Sequence, residues 1–325
     1  MNWLSDLFSA LQQGLFEGVV QPVVFGIGMG SLLEDAYVAT GWLLVGLLQL
    51  GVLVAIIGPL QRWRPVELVT DRATIRTDIL YTLFHRLGVF RLVLFFGIEP
   101  LIETLIGHLR VLGVGSMQLD SLWPGMTDIA WVSLILYLVV LDFVDYWLHR
   151  GQHHFNWWWQ LHALHHAQRQ MTMWSDNRNH LLDDLIRDVV LVVVAQIIGV
   201  APAQFVAIVA FTQLSESFQH ANLRLWFGAV GERLWVSPRF HRLHHSIGIG
   251  HETLKSGRVV QGGHNFGVLL PWWDMLFKTA NFEHRYDPTG VRDQVEPDAR
   301  GHLRAYGAGF WSQQWLGLKR LAGKA

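Results

Sequence analysis

The chain has 325 residues, 51% of them hydrophobic and only 16% charged, against roughly 25% charged in ordinary globular chains, a deficit that points to the bilayer. A formal net charge of −1 without a long basic run leaves no electrostatic footprint for a nucleic acid, which is excluded as a partner. Cysteine is absent, so disulfides, thiolate metal ligands and a cysteine nucleophile are all ruled out.

Residues 1–20 place Trp3, Leu7, Phe8, Leu11 and Phe16 at helix-like spacing, without the basic start of a signal peptide. They predict an interfacial helix. Residues 38–60 form an apolar run long enough to cross about 30 Å of hydrocarbon, closed by Pro59 and followed by Arg62 and Arg64. Residues 79–106 are also apolar but carry His85, Arg86, Arg91 and Pro100, and predict one crossing that breaks or re-enters near Pro100. Residues 128–148 begin as an apolar helix and end in DFVDYWLHR, which delivers a first histidine to the membrane surface. Two shorter apolar stretches, 185–200 and 203–218, flank a turn at 199–202 and predict a helical hairpin that dips into the membrane and returns. No Lys or Arg precedes Arg62, whereas Arg62, Arg64, Arg72 and Arg76 follow the first span. By the positive-inside rule the N-terminus is outside, and counting crossings returns the histidine-rich segments to the cytoplasmic face.

Those segments hold three clusters: His149 and His153 in HRGQH, His162, His165 and His166 in HALHH, and His241, His244 and His245 in HRLHH. Imidazoles four apart on a helix differ in direction by about 40° and three apart by about 60°, so each cluster aims its rings at one locus. Eight or more imidazoles exceed one ion's shell, which makes two ions the economical reading. Imidazole suits iron, zinc, copper or nickel, and its count alone does not separate zinc from iron. Asp142, Asp145, His149 and His153 share one helical stripe, so a carboxylate can accept a ligand's second N–H, with Asp145 placed for His149. The alternative is that both aspartates cap or solvate a helix end. His154, turned about 100° from His153, is expected to be no ligand. His251, His284 and His302 read as loop residues.

The series DFVDYWLHRGQH, LHALHH, SPRFHRLHH and HNFGVLLPWWDMLFKT resembles the fatty acid hydroxylase and sterol desaturase superfamily of membrane di-iron oxygenases, over about 135–279. The resemblance implies two iron ions, with zinc an alternative occupant on purification, and O2 as co-substrate. It also implies a lipid substrate and an external electron-donor protein. By motif position it makes His149, His153, His162, His165, His166, His241, His244 and His245 ligands, and His220 in QHANL a ninth. His180 and His264 stand at recurrent histidine positions, and Glu216 stands where some relatives have another histidine; with Asp145 and Asp142 these are ligands or supports of ligands. The expected fold is all-α, an integral membrane helical bundle with a cytoplasmic histidine-rich metal-binding cap. It is read as one folded unit of membrane-anchoring helices (1–134), a hydroxylase-like catalytic region (135–280) and a C-terminal tail (281–325). Hydroxylation of a lipid C–H bond is preferred to desaturation. The rival readings are a divalent-metal transporter or buffer, whose ligands should line a path at mid-membrane, and a scaffold with structural zinc.

Overall fold

In the computed structural model, which describes residues 2–113, 115, 117–255 and 258–324, the apolar runs are helices and the chain is mostly helical. Helix α1 (Asn2–Leu15) passes through a π turn into α2 (Gln21–Gly26), and Phe16 packs edge-on against Tyr37 with ring centroids 5.2 Å apart. Helix α3 (Leu33–Val52) continues through a π turn at Leu53–Ile57 into α4 (Gly58–Trp63). Pro59, which has no N–H to give, opens the first turn of α4, and the widened turn lies immediately before it. Leu53 and Ile57 on that turn are buried against Met173, Ala221 and Leu223, which fastens the rod to the histidine-bearing half.

Helix α5 (Arg72–Arg86) is capped by Asp71, which accepts from Thr74 N at 3.0 Å. Its C-terminal end touches α3 backbone to backbone: a Cβ on Gly46 would lie 1.7 Å from Arg86 O. The break expected near Pro100 is present at Ile98, and a second, unexpected one precedes it. The chain turns at Gly88 (φ +80°) into α6 (Val89–Gly97) and again at Ile98 into α7 (Glu99–Val111). Pro100 sits in the first turn of α7, where a missing N–H costs nothing.

Helix α8 (Ala130–His154) carries the first histidine pair, and Phe155 alone separates it from α9 (Asn156–His166), which carries the next three. Helices α10 (Leu181–Ile198) and α11 (Pro202–Gln219) are joined by the expected turn at Gly199 (φ +82°). Leu119, Tyr137, Leu141, Ala195, Ile198 and Ile208 make the core that binds both helices to α8. After α12 (Gly228–Leu234) comes α13 (Pro238–His244), capped by Ser237, whose side chain accepts from Phe240 N.

Next follows an antiparallel hairpin, β1 (Glu252–Lys255) with β2 (Arg258–Gln261), Thr253 opposite Val260. The all-α expectation omitted it, although glycines flank the strand residues on both sides. Helix α14 (Trp272–Leu276) and a long loop lead to α15 (Phe310–Leu321), which packs on α9 and donates Arg320 Nε to Gln160 O at 3.1 Å. The C-terminal segment is thus part of the wall around the histidines. Among the described residues, two helical segments, Gly30–Trp63 and Ala130–His154, are long and apolar enough to cross a membrane.

Candidate metal centre

The one-residue joint at Phe155 folds α9 back on α8, so their histidines face each other. His149, His153, His162 and His166 bring one ring nitrogen each within 4.8 Å of the others. A second group within the same distance joins His165 of α9, His220 at the end of α11, and His241 and His245 of the α13 segment. His244 completes a third, overlapping group with His166 and His245. The nine histidines that the sequence singles out as ligands are therefore brought together from four helices, all of them buried.

Their contacts test whether a cation fits. His166 Nε2 lies 3.0 Å from His153 Nε2 and 3.1 Å from His162 Nε2. His153 Nδ1 faces Gly262 O at 3.3 Å and His162 Nδ1 faces Asp183 Oδ2 at 2.9 Å, acceptors that place each ring's proton on Nδ1. Their Nε2 atoms are then bare lone pairs, and a single proton on His166 could satisfy at most one of them. In the second group His220 Nε2 lies 3.2 Å from His165 Nε2 and 3.1 Å from His241 Nε2, with His245 Nε2 3.1 Å from His241 Nε2. His220 Nδ1 donates to Glu216 O at 2.8 Å, so its Nε2 is again a lone pair. His244 donates Nδ1 to His264 O at 2.7 Å, and its buried Nε2 has no hydrogen-bond partner. Two nitrogens set at right angles about 2.1 Å from one ion are themselves about 3.0 Å apart. Crowded lone pairs at this spacing repel unless a cation lies between them, and the donor set fits a metal centre.

Burial pushes His165, His166, His241, His244 and His245 well below the usual imidazole range, and neighbouring imidazoles act in the same direction. Burial likewise takes His220 down, against the pull of Asp176, and brings His251 to about 3. Near neutral pH these rings are uncharged, the form that binds metal.

The supporting residues differ from the expected ones. Asp145 does not meet His149; it grips Arg187 through two bonds, Nε to Oδ1 at 2.7 Å and Nη2 to Oδ2 at 2.6 Å. His149 donates Nδ1 to Phe266 O at 2.9 Å instead. Glu216 also pairs with Arg187, at 2.9 Å, and its side chain belongs to none of the histidine groups. His180 caps α10, accepting from Leu182 N through Nδ1 and donating Nε2 to Gln314 O, so both ring nitrogens are spent away from the centre. His264 contributes its carbonyl to His244, not its ring. His154 is exposed and packs on Phe155.

Asp142 and the closing HNFG…WD…T series form a scaffold for those carbonyls. Asp142 accepts from Leu269 N, Leu270 N and Trp273 Nε1 at 2.8, 3.2 and 2.8 Å. Asp274 accepts from Phe266 N, Gly267 N and Thr279 Oγ1 at 2.9, 2.7 and 2.6 Å. Between the two accepting carbonyls stands Asn265 at φ +63°, its amide donating to Phe240 O and Asn281 O. That left-handed residue, tolerated best by Asn or Gly, turns the chain so that His264 O and Phe266 O each meet a histidine.

Sequence reasoning missed Asp183, whose Oδ1 accepts from Gln152 Nε2 and Trp158 Nε1 while Oδ2 holds His162. It also missed His251, read as a loop residue, which is buried with Nε2 2.8 Å from His166 Nδ1. Neither has a signal in its own segment, because each meets its histidine only across the fold. A cleft lined by Asp145, Asp184, Arg187, Glu216 and Val268 opens onto His149, His162, His165, His220 and His241, histidines of both main groups.

Residues 134–279 match the fatty acid hydroxylase family. The chain is 27% identical over 281 residues to the ornithine lipid hydroxylase of Rhizobium tropici, covering 83% of this chain and 76% of that protein. It is 25% identical over 164 residues to the alkylglycerol monooxygenase of Caenorhabditis elegans, covering 50% of this chain and 29% of that protein. Against the Delta(7)-sterol-C5(6)-desaturase of Nicotiana tabacum it is 26% identical over 187 residues, 54% of this chain and 56% of that protein. No solved structure matches.

Proposed function

Because residues 134–279 match the fatty acid hydroxylase family, and the chain's relatives include a lipid hydroxylase, a monooxygenase and a desaturase, we propose that this chain hydroxylates a C–H bond of a membrane lipid at a two-iron centre, using O2. The observation that carries the reading is the convergence of nine buried imidazoles into two main groups at the end of one cleft. His149, His153, His162 and His166 would hold one ion and His165, His220, His241 and His245 the other, with His244 beside the shared edge. Iron held there supplies the one-electron and dioxygen chemistry that side chains lack. In the overall reaction one oxygen atom enters the C–H bond and the other leaves as water, with two electrons and two protons supplied through an external redox protein.

The chain's own part is to orient the rings and keep them uncharged. Asp183, Phe266 O, Gly262 O, Glu216 O and His264 O each fix a ring with its Nε2 inward. Burial keeps the His165, His166, His220, His241, His244 and His245 rings neutral. The cleft walls are polar, with Arg187 tied between Asp145 and Glu216 at 25% side-chain exposure, which favours presenting the polar end of a lipid to the centre over the middle of an acyl chain. Similarity to an ornithine lipid hydroxylase over most of both chains makes an amine-bearing lipid the substrate to try first.

The anchoring region 1–134, the catalytic region 135–280 and the segment 281–325 act as one unit in this reading. The N-terminus is outside, and the histidine-rich cap faces the cytoplasm. Exposed Val38, Leu47, Leu48, Val54 and Ile56 on the first long rod, and Trp131 and Ile135 on α8, support contact with lipid. A transporter is disfavoured because the histidines cluster at helix ends and not along a path. The reading is tested by comparing lipids of cells carrying the intact chain with those carrying His165→Ala. A lipid gaining one oxygen only with the intact chain supports it, and identical lipid profiles oppose it.

A further inference from the structure

Between the third histidine cluster and Asn265 the chain makes an excursion, described at residues 247–255 and 258–263 and built around the strands β1 and β2. Its base is pressed onto the metal centre. A Cβ on Gly250 would lie 2.1 Å from His244 O, and one on Gly263 (φ +117°) 2.0 Å from Gly250 O, so the two ends of the excursion and the cluster meet backbone to backbone. Gly262 N donates to His251 O at 2.8 Å, tying the ends together. From this base two groups reach inward: Gly262 O to His153 Nδ1, and His251 Nε2 to His166 Nδ1 at 2.8 Å. His251 is only 4% exposed, with its ring centroid 4.5 Å from that of His166 and 5.3 Å from that of Trp159.

His166 differs from the other three histidines of the first group in two ways. Alone in the first group of four, it also belongs to the group with His244 and His245, so it stands on the edge of the first group that borders the second. The other rings of the first group are oriented by a carbonyl or carboxylate that can only accept, whereas the partner of His166 is a second imidazole, which can donate or accept.

Resting on the two-ion reading, we infer that the base of this excursion, residues 250–251 and 262–263, is a strap that orients two ligands, and that His251 is the positioning residue for His166. A cation at His166 Nε2 puts that ring's proton on Nδ1, which donates to His251 Nε2. His251 thereby selects the tautomer and rotation of the first-group ligand that borders the second group. It touches no substrate and holds no metal.

The test is titration of metal-free full-length protein with cobalt(II) alone, read by visible absorption and by competition with a chelator. Wild type should bind two ions. His251→Ala should bind one ion as wild type does and the other about 10–100-fold more weakly, with an altered absorption band for the weakened site. His251→Gln, whose amide oxygen can accept in place of Nε2, should recover most of that affinity and the wild-type band. Wild-type affinity at both sites in His251→Ala, or equal weakening of both that Gln fails to rescue and that tracks a lower unfolding temperature of the metal-free protein, would overturn the assignment. Failure of wild type itself to hold two ions would overturn the two-ion reading beneath it.

Discussion

His162 and His149 illustrate how a ligand is aimed from a distance in sequence. His162 is held by Asp183, 21 residues away, and His149 by a carbonyl 117 residues away, while Asp145, one turn before His149, is turned aside to Arg187. Spacing on a helix gives the direction in which a side chain leaves the backbone, not which neighbour will reach it first. The two aspartates should therefore separate on substitution. Asp183→Asn should weaken metal binding about 10–100-fold, because an amide competes poorly for the His162 proton. Asp145→Asn should leave metal stoichiometry and affinity unchanged and lower stability by about 1–3 kcal/mol, because it loosens a two-point Arg187 contact that also steadies Glu216. Metal titration and thermal unfolding of both variants check this, and loss of metal in Asp145→Asn would contradict it. The buried imidazoles also give a sign for pH dependence. Unfolded histidine titrates near 6.5, whereas His165, His166, His241, His244 and His245 are pushed well below that when folded. Between those values the unfolded chain binds more protons, so the metal-free protein keeps its full stability above about pH 6.5 and loses it as pH falls. An unfolding temperature of the metal-free protein that stays flat from about pH 8 to about pH 5 would contradict this.

At the scale of elements, apolar runs and histidine spacing made α3, α8, α9 and the α10–α11 pair legible, because each is a local pattern repeated over many residues. The break near Pro100 was legible because a proline in a first helical turn marks a helix start, whereas the turn at Gly88 has no such signal and was missed. The strap was missed for a different reason: four-residue strands carry little periodic signal, and the glycines around them have meaning only once the facing backbone is known. The closing HNFG series could be recognised as a pattern, but not as a device for pointing two carbonyls at two histidines. That role makes Asn265 a sharp test of an element. Asn265→Ala should lose its amide bonds and add about 1–2 kcal/mol of left-handed backbone strain, so that stability and metal affinity fall together. Asn265→Gly, which keeps the backbone conformation, should fall between Ala and wild type. Equal behaviour of the Gly and Ala variants in metal titration would show that φ at this position does not aim the carbonyls.

For the whole molecule, the arrangement requires all three histidine clusters to lie on one side of the membrane. The absence of Lys and Arg before Arg62 and the four arginines between 62 and 76 set the expected orientation. A reporter at the N-terminus should be extracytoplasmic, and reporters after Thr77 or at the C-terminus cytoplasmic; a C-terminus on the outside would contradict that topology. The most direct test of the central claim is to purify the full chain without oxygen in the presence of iron, count the bound ions, and then admit O2 with a reductant and candidate lipids. The account predicts two iron ions per chain and O2 consumption that scales with formation of a hydroxylated lipid, both lost in His165→Ala. A single bound ion, or two ions that leave O2 and every lipid unchanged in the wild-type protein, would contradict it.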